Sequence, residues 1–126
     1  MLYLCTYLKI IGSTHEGRDM RVIQITKAGP SAPIAWIEAG IHAREWIASA
    51  VATFMINELV NNYEQNKHIV DNLNIHIIPM ANPDGYEYSR NSDRMWRKNR
   101  NRDNTKGKIE TTSTIFERID QKTLLK

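Results

Sequence analysis

The chain has 126 residues, 41% of them hydrophobic and 25% charged, with a formal net charge of +3 at pH 7. That length fits one small domain, and the apolar share supports a packed core and argues against disorder. The modest charge compels neither a nucleic acid nor a membrane as partner, and the single cysteine, Cys5, leaves no internal disulfide.

No run approaches the roughly 20 apolar residues of a membrane span. Residues 1–9 are apolar in places but lack a positive leading region and a cleavage site, so they do not read as a signal peptide. Cys5 sits among apolar neighbours and reads as an inert, structural thiol.

In chain order, residues 12–18 form a turn-rich loop punctuated by Gly12 and Gly17. Residues 20–26, with Val22, Ile23 and Ile25, read as a buried strand. Residues 34–41 are apolar almost throughout, as expected of a strand covered on both faces. From 45 to 63, apolar residues recur at Ile47, Val51, Phe54, Met55 and Leu59, which predicts an amphipathic helix with that stripe in the core. Residues 65–72 are polar enough to be its frayed end or a loop. Residues 73–79 then read as a strand closed by Pro79. Strand, helix, strand is a βαβ unit, so the expected class is α/β, with a parallel or mixed sheet and flanking helices.

Asn82, Pro83, Asp84 and Gly85 make a strong turn signal. Beyond them, residues 90–108 carry eight basic side chains against Asp93 and Asp103. Residues 105–126 are polar, with a possible short helix that Thr114 and Glu117 would open as a capping box.

The chemically informative pair is His42 and Glu45, where a buried strand gives way to a helix. Ligands of open α/β sheets collect at the carboxyl ends of strands. An imidazole and a carboxylate three residues apart can face one point, and zinc accepts both donor types. Alone the pair is a weak signal for a metal, and the plainer reading is favoured, in which Glu45 favours the helix N-terminus and His42 is satisfied by backbone.

Four segments taken together carry more. They are residues 11–18 (with Thr14, Glu16, Gly17, Arg18), residues 38–46 (with Gly40, His42, Arg44, Glu45, Trp46), Asn82 to Tyr86, and Arg94 to Lys98. In order and spacing they resemble the zinc metallocarboxypeptidases of the pancreatic carboxypeptidase A/B type, across roughly residues 10–104. The resemblance implies the N-terminal part of that fold, a truncated, mixed and mostly parallel sheet with flanking helices. It implies that His42 and Glu45 bind one zinc ion. Arg44 would line the substrate subsites, and Arg97 would be the catalytic and substrate-binding arginine that polarises the scissile carbonyl and stabilises the oxyanion. The implied substrates are the C-termini of peptides or proteins, with no nucleic-acid or membrane partner, and the implied location is secreted.

The same resemblance implies a domain more than twice this long. It would hold a third zinc-binding histidine, a glutamate general base, an Asn-Arg pair for the substrate carboxylate and a specificity tyrosine. No histidine follows His76 in this sequence, and the family pattern stops at Asn104. The expectation is a partial zinc-carboxypeptidase domain over residues 1–104 and a divergent tail over 105–126. As given, the chain is expected to be an incomplete, inactive fragment of a peptidase with an incomplete zinc site. The alternative is a non-catalytic binding or regulatory module derived from one. Trp36, Trp96 and the 82–85 turn are expected to be structural, the turn fixing the loop that carries Arg97. His76 is expected to be a satisfied, partly buried histidine, and His15 and His68 loop or surface residues.

Overall fold

The computed structural model describes residues 4–101. The expected boundary after residue 104 and the capping box at Thr114 and Glu117 lie outside the described residues. Within them the chain runs β1 (Cys5–Ser13), β2 (Asp19–Thr26), β3 (Ile34–Glu38), α1 (Trp46–Asn61), α2 (Tyr63–Val70), β4 (Asn74–Ile78) and α3 (Pro83–Asn91).

The four strands form one mixed sheet in the order β1-β2-β4-β3. β3 and β4 are parallel, joined by the α1–α2 crossover of a βαβ unit, whereas β1–β2 and β2–β4 are antiparallel. The α/β class with a mixed sheet is therefore as expected, and the parallel pairing among the described residues is confined to β3 and β4. β4 is buried along its whole length, which explains its Ile-rich run.

The alternation of side chains divides the sheet into two faces. One carries Ile25, Ile75 and Ile77, which pack with Ala52 and Leu59 of α1 and Val70 of α2. The other carries Val22 and Ile78, which pack with Ala81, Ile11 and Trp36. Burying a side chain of this size stabilises the fold by about 1.5–3 kcal/mol.

Four expectations need correction. The strand expected over 34–41 ends at Glu38. The polar segment at 65–72 is largely helical, because Tyr63, Ile69 and Val70 pack on the sheet and supply the burial its other residues lack. Asn82 to Gly85 opens a helix rather than a free turn: the Asn82 side chain caps α3, and Pro83 takes the first helical position. Finally, the α1 stripe is right at Leu59, which is buried, and wrong in its N-terminal part. Ile47 is 73% exposed, Val51 49% and Phe54 63%, while Ala52 and Leu59 are the buried residues of the helix. α1 is apolar nearly all round, so steps of three and four fit two faces. The sheet takes the face that carries Ala48, Ala52, Ile56 and Leu59.

Candidate metal and substrate site

The site begins where β3 stops. Ala39 donates to the Ile78 carbonyl at 2.9 Å, and Gly40 then turns the chain with φ at +70°. A side chain there would be strained by the backbone alone. Its Cβ would also meet Ser49 Oγ at 2.6 Å and Met80 Sδ at 3.0 Å. The turn puts His42 and Glu45 at the carboxyl end of a parallel strand, just before α1. Glu45 N donates to the His42 carbonyl at 3.0 Å, closing a tight turn between them.

That turn brings His42 Nδ1 to 2.9 Å from Glu45 Oε1. Glu45 is the N-cap residue of α1 but makes no side-chain capping bond; its carboxylate is turned to His42 instead. Arg97 arrives from 55 positions away, its Nη2 at 3.4 Å from the same His42 nitrogen. One ring nitrogen can donate to a carboxylate or accept from a guanidinium, not both. The two contacts therefore call for different tautomers of His42, and Arg97 adds positive charge beside the pair.

Two side chains and one backbone carbonyl from beyond residue 88 brace this turn. Ser89 Oγ, buried in α3, lies 3.1 Å from the Ala43 carbonyl, accepts from Trp46 Nε1 at 2.9 Å and lies 2.7 Å from the Tyr86 carbonyl. A hydroxyl has one proton, so it donates to one of those two carbonyls at a time. Arg94 donates to the Arg44 carbonyl at 3.0 Å and lies over the Trp46 ring, 3.9 Å from its centroid. The backbone of Arg97 closes the set, its carbonyl accepting from Ala43 N at 3.1 Å.

The donor chemistry fits zinc at two positions. His42 Nδ1 and Glu45 Oε1 stand 2.9 Å apart, and two ligands at about 2.0–2.2 Å from a tetrahedral ion stand roughly 3.3–3.6 Å apart, so the pair would have to open by about half an ångström. Among the described residues, however, no group of three or more His, Cys, Asp or Glu side chains could hold a metal ion. His42 and Glu45 thus offer two candidate donors, where a catalytic zinc normally has three protein ligands. The other two expected residues separate. Arg97 meets the pair, whereas Arg44 is exposed, and among the described residues no hydrogen bond joins its guanidinium to His42, Glu45 or Arg97.

Trp96 packs edge-on against Tyr88 with centroids 4.9 Å apart, and Arg100 lies over Tyr88 at 3.8 Å. His15 and His68 are exposed, though His68 lies on α2 rather than in a loop. His76 departs from expectation. It is 5% exposed, and its Nδ1 has no hydrogen-bond partner among the described residues. Burial, helped by Lys9, holds its pKa below the ordinary value. Glu38 at the end of β3 also has a buried Oε1 without a hydrogen-bond partner, and burial raises its carboxyl pKa.

Asp84 was legible only as part of a turn. Its carboxylate accepts from Thr14 Oγ1 at 2.7 Å, Glu16 N at 2.9 Å and Arg18 Nη1 at 2.7 Å. Burial by itself would raise its pKa, but those three donors outweigh burial and leave it below the usual carboxylate value. The first and third motif segments thus meet at one buried carboxylate.

A mixed α/β sheet presenting a His–Glu pair and a braced arginine at a strand's carboxyl end defines a metallohydrolase-like arrangement. The family model described as zinc carboxypeptidase matches residues 4–119. Carboxypeptidase B of Astacus astacus is 44% identical over 90 residues, which is 71% of this chain and 30% of the relative. Carboxypeptidase B of Rattus norvegicus is 44% identical over 94 residues, 72% of this chain and 23% of the relative. The crystal structure of carboxypeptidase A from Helicoverpa armigera matches with a TM-score of 0.72 at 30% identity, covering 76% of this chain and 24% of that one. The chain belongs to the zinc carboxypeptidase family, and it spans less than a third of the length of these relatives.

Proposed function

We propose that this chain is the part of a zinc metallocarboxypeptidase that supplies two metal ligands, His42 and Glu45, and the carbonyl-polarising arginine, Arg97. The whole protein then releases C-terminal amino acids from peptides and is secreted. The observation that supports the reading is the convergence of His42 Nδ1, Glu45 Oε1 and Arg97 Nη2 at the carboxyl end of β3.

Zinc, when bound, acts as a Lewis acid on a carbonyl and lowers the pKa of water. The chain's own residues do the rest of what is proposed here. His42 and Glu45 hold two coordination positions from one short turn, so neither moves without the other. Arg97 is permanently charged and presents several fixed N–H donors. Beside the pair it can donate to the oxygen on which negative charge develops when a peptide carbonyl is attacked. Arg44, exposed on the same turn, would line the substrate subsites.

Tested alone, the 126-residue chain is expected to bind zinc weakly and to show no exopeptidase turnover, because the third ligand and a general base are not among the residues that converge. The domain division proposed from sequence, 1–104 and 105–126, keeps the whole of this site in the first part. The test is a graft of residues 4–101 into Astacus astacus carboxypeptidase B in place of the matched segment. The expected result is release of C-terminal residues that a chelator stops and His42→Ala abolishes. A folded, zinc-loaded graft without that activity would refute the reading.

A further inference from the structure

The two halves of the site, the His42–Glu45 turn and the Arg97 segment, are 55 positions apart in sequence (His42 to Arg97) and meet at one side chain. Asn82 Nδ2 donates to the Ile41 carbonyl at 3.0 Å and to the Lys98 carbonyl at 3.1 Å. Ile41 immediately precedes His42, and Lys98 immediately follows Arg97. The same amide accepts from Gly85 N at 2.9 Å, capping α3. Asn82 is 6% exposed, so water cannot replace these bonds without opening the structure.

Both N–H donors and the amide oxygen are thus committed, each to a different segment. The packing is too close for any other arrangement. A Cβ at Gly85 would lie 2.5 Å from Asn82 Nδ2 and 2.5 Å from the Lys98 carbonyl oxygen. The absence of a side chain at Gly85 is what lets the Arg97 segment come down onto the amide.

We propose that Asn82 is a positioning residue that locks the His42 turn to the Arg97 segment, fixing the distance between metal pair and arginine. Any role in catalysis rests on the function proposed above, but the lock itself is a property of the chain without metal. It also goes beyond capping α3. Asp is as good an N-cap as Asn and keeps the acceptor for Gly85 N. Asn82→Asp therefore preserves the helix start while replacing both bridging donors with an oxygen that faces two carbonyls.

The test compares Asn82→Asp with Asn74→Asp in the full 126-residue chain. Asn74 is 7% exposed, and its Nδ2 donates to the Gly29 carbonyl at 2.7 Å, so it loses a comparable buried bond away from the site. The readout is hydrogen exchange at Ala43 N–H, which donates to the Arg97 carbonyl, relative to the amides of β4. The expected result is at least tenfold faster relative exchange at Ala43 in Asn82→Asp and no such change in Asn74→Asp. Equal effects in the two variants, or none at Ala43, overturn the proposal. Should Asn82→Asp not fold, the wild-type chain decides: both Asn82 side-chain protons must exchange far more slowly than those of exposed Asn57, and equal rates overturn the lock. Zinc is added in a second arm, where Asn82→Asp is expected to bind about 10- to 100-fold more weakly than wild type. Faster Ala43 exchange in Asn82→Asp, together with a wild-type chain that shows no response to zinc, would sink the metal reading and leave the lock standing.

Discussion

Arg97 stands 3.4 Å from His42 across 55 positions of sequence, and nothing in the spacing of the two residues requires it. Their approach is built by α3 and the segment after it. Ser89 and Arg94 reach the carbonyls of Ala43 and Arg44, and the Arg97 carbonyl takes the Ala43 amide. In a protein with the complete site, Arg97→Ala is expected to lower kcat by roughly 10²–10³-fold, the usual effect of removing one oxyanion donor. KM should change far less. Steady-state kinetics on a free-carboxyl peptide, in the grafted carboxypeptidase, measures the split.

Gly40 is where the strand becomes the site. Gly40→Ala places a side chain at positive φ, against Ser49 Oγ and Met80. It is expected to destabilise the chain by roughly 1–3 kcal/mol, the range for a non-glycine residue in a strained backbone region. Urea denaturation followed by tryptophan fluorescence would show it as a lower midpoint with unchanged slope.

Asp84 ties the β1–β2 loop to α3 with a carboxylate that is nearly out of solvent. Asp84→Asn is expected to cost roughly 1.5–3 kcal/mol, as for buried hydrogen bonds to a charged group. Because its folded pKa is depressed, the stability it adds is fully present above the ordinary value of 3.8 and is lost as pH falls below that value through the folded one. The difference between wild type and Asp84→Asn should therefore shrink in that acid window. A pH series of denaturation midpoints checks it.

Glu38 and His76 work in opposite senses. The Glu38 carboxyl is raised by burial, so its ionised form opposes folding. Glu38→Gln is expected to raise the melting temperature at neutral pH, and the gain should vanish as pH falls through the raised value towards the ordinary 4.5. His76 has a depressed pKa, so its contribution is intact above the ordinary 6.5 and is lost as pH drops through the folded value. Thermal melts of wild type and Glu38→Gln between neutral and acid pH separate the two effects.

What the sequence made legible follows burial. β4 announces itself because it is buried along its whole length, and β2 and β3 because each carries a cluster of apolar, largely β-branched residues. β1 does not, since Tyr7, Leu8 and Ile10 are all exposed on an edge strand with no clean alternation. α2 is hidden by its polar composition, its helicity depending on three packed residues and a Lys27–Asp71 ion pair at 3.0 Å. The turn chemistry at Asn82 was read correctly as punctuation but assigned to the wrong structure, because Asn-Pro serves a helix start as well as a turn. In the site, the adjacency of His42 and Glu45 follows from three residues of spacing. The meeting with Arg97 does not, and the bracing by Ser89 and Arg94 depends on tertiary contacts that no local pattern encodes.

The central claim is that His42 and Glu45 share one divalent ion. Cobalt(II) titration of the 126-residue chain, followed by NMR with uniform nitrogen labelling, tests it most directly. The account predicts weak binding with the largest paramagnetic shifts at His42 and its neighbours through Glu45, lost in His42→Ala. Shifts centred on His15, His68 or His76, or a response that survives His42→Ala unchanged, would contradict it.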